Sequence, residues 1–413
     1  MTKSDDNNWK LSRLSELGVL GRGKSKHRPR NDASLFGGIY PFIQTSDIKH
    51  SNYYVNSYTE TYNEFGLAQS KLWQKDTLCM TIAANIAETA LLSFPACFPD
   101  SVVGFVADPL KSDVRFIKYS LDYYKKDFQN TAKGTAQDNL SLEKIDNLQM
   151  NVPSVKVQSK IASVLSTYDL LVENNEKRIK ILEEMGQRLF TEWFVKFKFP
   201  NHENTKKIES GTEHGIIPYG WDLRRLTDLV YINPPTKITN KHQVLHVPME
   251  CLSTIRSFID LDKTFRKDGG SGSKFINGDT LFARITPCLQ NGKGAFVNFL
   301  ENEEVGCGST EFVVMRSKVL SATYIYFLSR DPNFRKTAEL TMAGASGRQR
   351  VRSEFFQSYL IPTPESHLLD KFETLTKNMF ETIKVLSLAN RSLTQIRDLL
   401  IPQLVTGKVE VKE

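Results

Sequence analysis

The chain has 413 residues, 40% hydrophobic and 24% charged, with 54 Lys and Arg against 47 Asp and Glu, a formal net charge of +7. That is material for two or three ordinary globular domains, and it excludes a disordered, collagen-like or disulfide-scaffold chain. A mildly basic balance permits a nucleic-acid partner without establishing one. The opening MTKSDDNNWKLSRL has no apolar stretch that could serve as a signal peptide, and no apolar run approaches the roughly 18–20 residues of a membrane helix. Cys79, Cys97, Cys251, Cys288 and Cys307 are scattered without a C-x-x-C pair, which argues against a disulfide framework and a structural zinc site. Reduced thiols and a cytoplasmic location are expected, with no membrane partner.

In chain order, TLCMTIA and SVVGFVAD read as short β-branched or aromatic strands, and VRFIKYSLDYYKKDF reads as an amphipathic helix. From Ile161 a seam of Leu165, Tyr168, Val172, Asn175, Ile179, Leu182, Gly186, Leu189 and Trp193 alternates steps of four and three, which is a heptad. Pro153 and Ser154 mark its start. The stretch NHENTKKIESGTEHGIIPYG reads as a polar linker. DTLFARI, GAFVNFL and TEFVVMR read as further strands, and TYIYFLSRDPNFRKTAEL as a further helix. A second heptad runs through Phe372, Leu375, Met379, Thr382, Leu386, Ala389, Leu393, Ile396 and Leu400, opened by Pro364 and ended by Pro402 and Gly407.

The chain repeats itself. WKLSRLSEL from Trp9 returns as WDLRRLTDL from Trp221, 212 residues on. Gly66, Ser70, Lys71, Asp76, Thr77 and Leu78 return as Gly269, Ser273, Lys274, Asp279, Thr280 and Leu281, all at a separation of 203. Gln137 meets Gln349 back at 212. The fold expected is α/β (α+β): two duplicated mixed α/β domains, 1–153 and 221–364. Helical spacers follow them at 154–200 and 365–413, and a linker lies at 201–220. The two helices are expected to pair as an antiparallel coiled coil, a rod of roughly 55–60 Å if each has about 35–40 residues.

Motifs for chemistry are absent or fail on context. GVLGRGKS at 18–25 matches the phosphate-loop pattern, but Pro29 and the polar KHRPRND cannot form the helix that would hold the phosphates. NPPT at 233–236 carries Thr236 where a base-stacking aromatic would be needed. His242, His246 and Cys251 fall on a strand-like segment whose alternation scatters them, so no metal site is expected. Basic loops remain. Arg22, Lys24, Lys26, Arg28 and Arg30 lie in a Gly- and Pro-interrupted segment suited to phosphate. Arg348, Gln349, Arg350 and Arg352 lie beside Gly344 and Gly347, and Arg and Gln suit guanine and adenine edges. Their counterparts in the first copy are Lys133, Gln137 and Asn139; Arg284 and Lys293 form a third basic loop.

GRGKSKHRPRNDASLFGGIYPFIQTSDIK, GTAQDNLS, LLVENNEKRIKILEEMGQRLFTEWF, GDTLFARITPCLQNGKG, GRQRV and RDLLIPQLVTGKV span nearly the whole chain. Together, and in this order, they resemble the specificity (S) subunit of type I restriction–modification systems. The resemblance implies two target-recognition domains that read the halves of a split, asymmetric double-stranded DNA site. It also implies helices that space them and dock the partners, and a chain that is not an enzyme and holds no cofactor of its own. Two modification subunits would methylate adenine with S-adenosylmethionine, and two restriction subunits would use ATP and Mg2+. The pattern of residues by itself also admits a coiled-coil assembly protein without DNA binding, which would explain the heptads and the duplication but not the Arg and Gln loops at equivalent places. An NTPase built on Lys24 and Ser25 would require nucleotide binding by the isolated chain.

Overall fold

The computed structural model describes residues 9–133, 140–212, 214–239, 241–301 and 303–411, and at Lys133 the backbone alone. The chain forms two compact units, one of residues 1–174 and 389–413, the other of 175–388.

In the first unit a five-stranded sheet runs, in spatial order, Gly18–Arg22, Val102–Ala107, Leu78–Thr81, Thr89–Leu92 and Tyr54–Val55. It is antiparallel except at the last pair. Leu78–Thr81 and Thr89–Leu92 are buried at every position, which is why they read as continuous rather than alternating apolar runs. One face of the sheet, with Leu78, Met80 and Phe105, packs on Phe116, Ile117 and Leu121 of the helix Val114–Tyr123. Asp113 caps that helix by accepting from the Arg115 N–H. The other face buries Cys79, Leu92, Trp73 and Phe98.

The second unit repeats this frame. Val230–Ile232, Phe312–Ser317, Thr280–Ala283 and Gly294–Phe296 form a four-stranded antiparallel sheet in that order. A second sheet orders Phe265–Lys267, Val244–Val247, Gly306–Gly308 and Ser273–Phe275. The helices Ala322–Arg330 and Pro332–Leu340 cover the face that carries Phe282, Phe296 and Met315. In each copy the entering and leaving strands zip together just before a long helix: Lys10–Ser12 with Met150–Val152, and Asp222–Arg225 with Leu360–Thr363.

The first long helix, Val155–Phe190, has 36 residues and continues into a further turn, Thr191–Val195. Ile161, Leu165, Val172, Ile179, Gly186 and Trp193 of the expected seam are buried. Gly186 is required because a Cβ there would stand 2.2 Å from the Phe327 ring. The second long helix, Ser366–Val405, has 40 residues. Pairing is antiparallel within each unit. In the first, Ile161 and Leu165 share a core with Ile401 and Leu404, and Asp169 meets Arg397. In the second, Ile179 clusters with Ile383 and Leu386, and Phe190 lies 6.3 Å from Phe372 between ring centroids.

Three sequence expectations need correction. The second seam is rotated: Leu375 and Ile396 are 43% and 44% exposed, while Phe372, Thr376, Phe380, Ile383 and Asn390 are buried. The reason is that Phe372 and Phe380 also pack on the α/β core, against Phe327, Tyr324 and Phe296, so burial follows a wider arc than a two-helix seam. Pro402 does not end the helix. It sits in the last turns, where Ile401, Leu404 and Val405 anchor the chain in the first unit's core, and Gly407 at φ +73° ends it. The segment 201–220 is no bare linker. It forms a hairpin of Lys207–Glu209 with Ile216–Pro218, turned by Gly211 and Gly215 at positive φ.

Candidate nucleic-acid interface

In the first unit the phosphate-loop pattern is strand through Arg22 and then a loop, with no helix following. Gly23 donates to Val102 O at 2.9 Å and Lys24 to Phe98 O at 3.1 Å. A Cβ on residue 23 would lie 2.3 Å from the carbonyls of Phe98 and Pro99, so only glycine lets the loop seat there. Gln69 Oε1 accepts the N–H groups of Lys26 and His27 at 2.6 and 3.0 Å. The His27 ring lies 2.9 Å from Asp32. The Ser34 N–H and that ring hold the Asp32 carboxyl down at about 2.

This frame sorts the basic residues. Arg28 turns inward to the carbonyls of Ser25 and His27, at 2.6 and 2.8 Å. Arg30 pairs with Asp100 at 2.8 Å. Arg22, Lys24 and Lys26 are exposed and make no ion pair among the described residues. Gln137 and Asn139 lie outside the described residues, and Lys133 ends the helix Lys125–Lys133.

In the second unit Arg284 and Arg350 converge on Glu311. Arg350 donates through Nε and Nη2 at 2.7–2.9 Å, and Arg284 through Nε at 3.2 Å. These two guanidinium groups, Arg350 foremost, lower the Glu311 pKa. Backbone bonds stitch the two loops: Gln349 O accepts from Thr286 at 3.0 Å, and Val351 donates to Arg284 O at 2.9 Å. Gly344 and Gly347 turn the loop at positive φ, leaving Arg348 and Arg352 exposed. Lys293 is set apart, with Nζ on the Met249 carbonyl at 3.0 Å.

Glu311 escaped the sequence reading, as did Arg335, which is half-buried and donates to the carbonyls of Ser329, Leu289, Gly292 and Lys293 at 2.7–3.1 Å. Burial, then the nearby Arg330 charge, pulls the Arg335 pKa down to about 10. Arg330 joins it on Gly292 O and holds Thr254 O at 2.7 Å. The pair pins the loop that carries Lys293.

NPPT forms one wall of an open groove that Lys237, Lys274 and Arg284 also line. Asn233, at φ +48°, exchanges two bonds with Val314, at 2.8 and 2.9 Å. Thr236 Oγ1 accepts from Arg316, which forks onto fully buried Asp279 at 2.7 Å. His246 Nδ1 faces Cys307 Sγ at 3.4 Å, while Cys251 is buried in another core segment. Among the described residues no three His, Cys, Asp or Glu gather as a metal site, and no helix is long and apolar enough to cross a membrane.

Residues 6–184 match the family model described as the type I restriction modification DNA specificity domain. The chain is 23% identical to the type I restriction enzyme MjaIX specificity subunit of Methanocaldococcus jannaschii, across 98% of this chain and 94% of that protein. It is 33% identical to the EcoAI specificity subunit of Escherichia coli over 160 residues, covering 36% of this chain and 26% of that one. Among solved structures, the fold is similar to the type I restriction–modification S subunit from M. genitalium. The TM-score is 0.59 at 14% identity, with 98% of each chain covered.

Proposed function

The chain belongs to the family of type I restriction–modification specificity subunits, and on that premise we propose that it reads a split DNA site, each α/β unit taking one half. It is a sequence-recognition subunit and not itself an enzyme. The carrying observation is the duplicated frame. Each unit carries exposed basic residues on a like run of four strands, in the loop after Gly18–Arg22 in one and in the loop after Pro332–Leu340 in the other, and the side chains differ between copies. Two unlike readers on one chain suit two unlike half-sites.

Within each interface the exposed cations grip and the held ones read. Arg22, Lys24 and Lys26 in one unit, and Arg348 and Arg352 in the other, take phosphates. Arg350 and Arg284, fixed on Glu311, are oriented for base edges in the major groove. The helices carry exposed apolar residues: Leu171 and Leu399 in the first unit, Ile181, Met185 and Val385 in the second. Such side chains on elements already packed suit docking of partner helices. We assign that role to two modification subunits, which supply the adenine methylation chemistry with S-adenosylmethionine; two restriction subunits with ATP and Mg2+ complete the complex.

Mapping of methylated adenines in DNA from cells carrying this chain and its modification subunit tests the reading. A single motif of two unlike halves separated by a fixed gap is expected. A continuous motif, or a palindromic one, would overturn it.

A further inference from the structure

Strand register fixes which loop residues correspond between the two units. Leu78 faces Phe105, and Phe105 faces Leu20. Leu281, the repeat partner of Leu78, faces Val314, to which Asn233 is bonded. Leu20 and Asn233 are therefore equivalent, and the fourth residue beyond each is a lysine, Lys24 and Lys237. A second matched pair comes from the repeated Ser-Lys steps, Ser70-Lys71 and Ser273-Lys274.

The two pairs meet in space. In the first unit Ser70 Oγ donates to the Lys24 carbonyl at 2.8 Å, and the Lys71 ammonium lies 3.5 Å over the Trp73 ring. In the second, Lys237, Ser273 and Lys274 line one groove with Arg284. None of the four lysines has a carboxylate partner among the described residues. Burial, then the adjacent Lys24 charge, pushes the Lys71 ammonium below its ordinary value. Like charges on neighbouring lysines without a carboxylate partner favour an anion beside them. Loop composition around them differs between the copies, GRGKSKHRPR against PPTKITNKHQ, yet the lysine pair is kept.

We propose that Lys24 with Lys71, and Lys237 with Lys274, form one backbone-phosphate clamp, repeated in each unit, that grips DNA alike at both half-sites while other side chains read bases. The proposal rests on the reading of the chain as a DNA recognition subunit. It adds Lys71, Lys237 and Lys274 to the interface and assigns them a role without sequence preference.

The test is a salt titration of duplex binding by the full chain assembled with its modification subunits, using a duplex of unrelated sequence. Lys71→Gln and Lys274→Gln should each flatten the slope of log affinity against log salt by about 0.9, and the double variant by about 1.8. Lys71→Arg and Lys274→Arg should keep the parent slope, and the methylated motif should stay the same in every variant. Parent-like slopes in both Gln variants would overturn the clamp and leave the recognition reading standing, as would a changed motif. Displacement of the duplex by inorganic phosphate at constant ionic strength, lost in the Gln variants, would reassign the lysines to free phosphate. A parent assembly that binds no duplex at any salt would overturn the recognition reading and the clamp with it.

Discussion

At Glu311 one carboxylate, 18% exposed, holds two arginines that are 35% and 45% exposed. Pairs this open to water add little stability, so the consequence is geometric: two guanidinium groups lose rotamer freedom. Arg350→Ala should cost about 1–3 kcal/mol against the cognate half-site and relax discrimination at one base pair. Glu311→Ala removes the hold on both arginines and a negative charge. Binding to unrelated duplex should tighten while preference for the cognate site falls. Anisotropy titrations with cognate and single-base-changed duplexes measure both. Arg335 has a different weight, since its guanidinium serves four carbonyls. Arg335→Ala strands those acceptors and should cost about 3 kcal/mol or more in urea unfolding of the full chain. Arg335→Lys should not restore it, because an ammonium lacks the planar fork. Neither Glu311 nor Arg335 was legible in the sequence. Glu311 lies 27 and 39 residues from its partners, and Arg335 reads as the polar side of an amphipathic helix. The basic loops were legible because glycine, proline and clustered charge are local signals.

The long helices meet over apolar side chains and, in the first unit, over a buried charge. Asp169 is 1% exposed and accepts from the Tyr119 hydroxyl at 2.5 Å and from Arg397. Burial alone would lower the Arg397 pKa, but Asp169 and Asp398 together outweigh it, and the guanidinium is held protonated. Asp169→Ala leaves the guanidinium on Asp398 alone and the Tyr119 hydroxyl without its acceptor, and should cost about 1–3 kcal/mol. Asp169→Leu combined with Arg397→Met should recover most of the loss, since the pair contributes register more than net stability. Urea unfolding of the single and double variants checks this. The first helix was legible to its seam because its apolar spacing is regular. The second was misjudged by a fraction of a turn: Leu375 fits a heptad as well as Thr376 does, and only Phe372 and Phe380 packing on the α/β core decides which is buried. Likewise Pro402 is a stop signal by local rule, overridden by the anchoring of Ile401, Leu404 and Val405.

For the molecule as a whole, the duplication was readable because Ser70-Lys71 and Asp76-Thr77-Leu78 recur at one separation as Ser273-Lys274 and Asp279-Thr280-Leu281, with Thr77-Leu78 and Thr280-Leu281 buried where matching strands begin. What the sequence concealed is that the compact units cut across the linear order of the chain. The first ends at residue 174 and resumes at 389, because the second long helix returns to the core near Ile161 and Leu165. The base sequence each unit prefers is not legible, since groove contacts depend on side-chain placement and on DNA shape. The central claim, one half-site per unit, is tested most directly by exchanging residues 222–363 for the corresponding segment of another specificity subunit and mapping methylated adenines. One half of the motif should change to that of the donor, with the other half and the gap retained. A motif changed in both halves, or in neither, would contradict it.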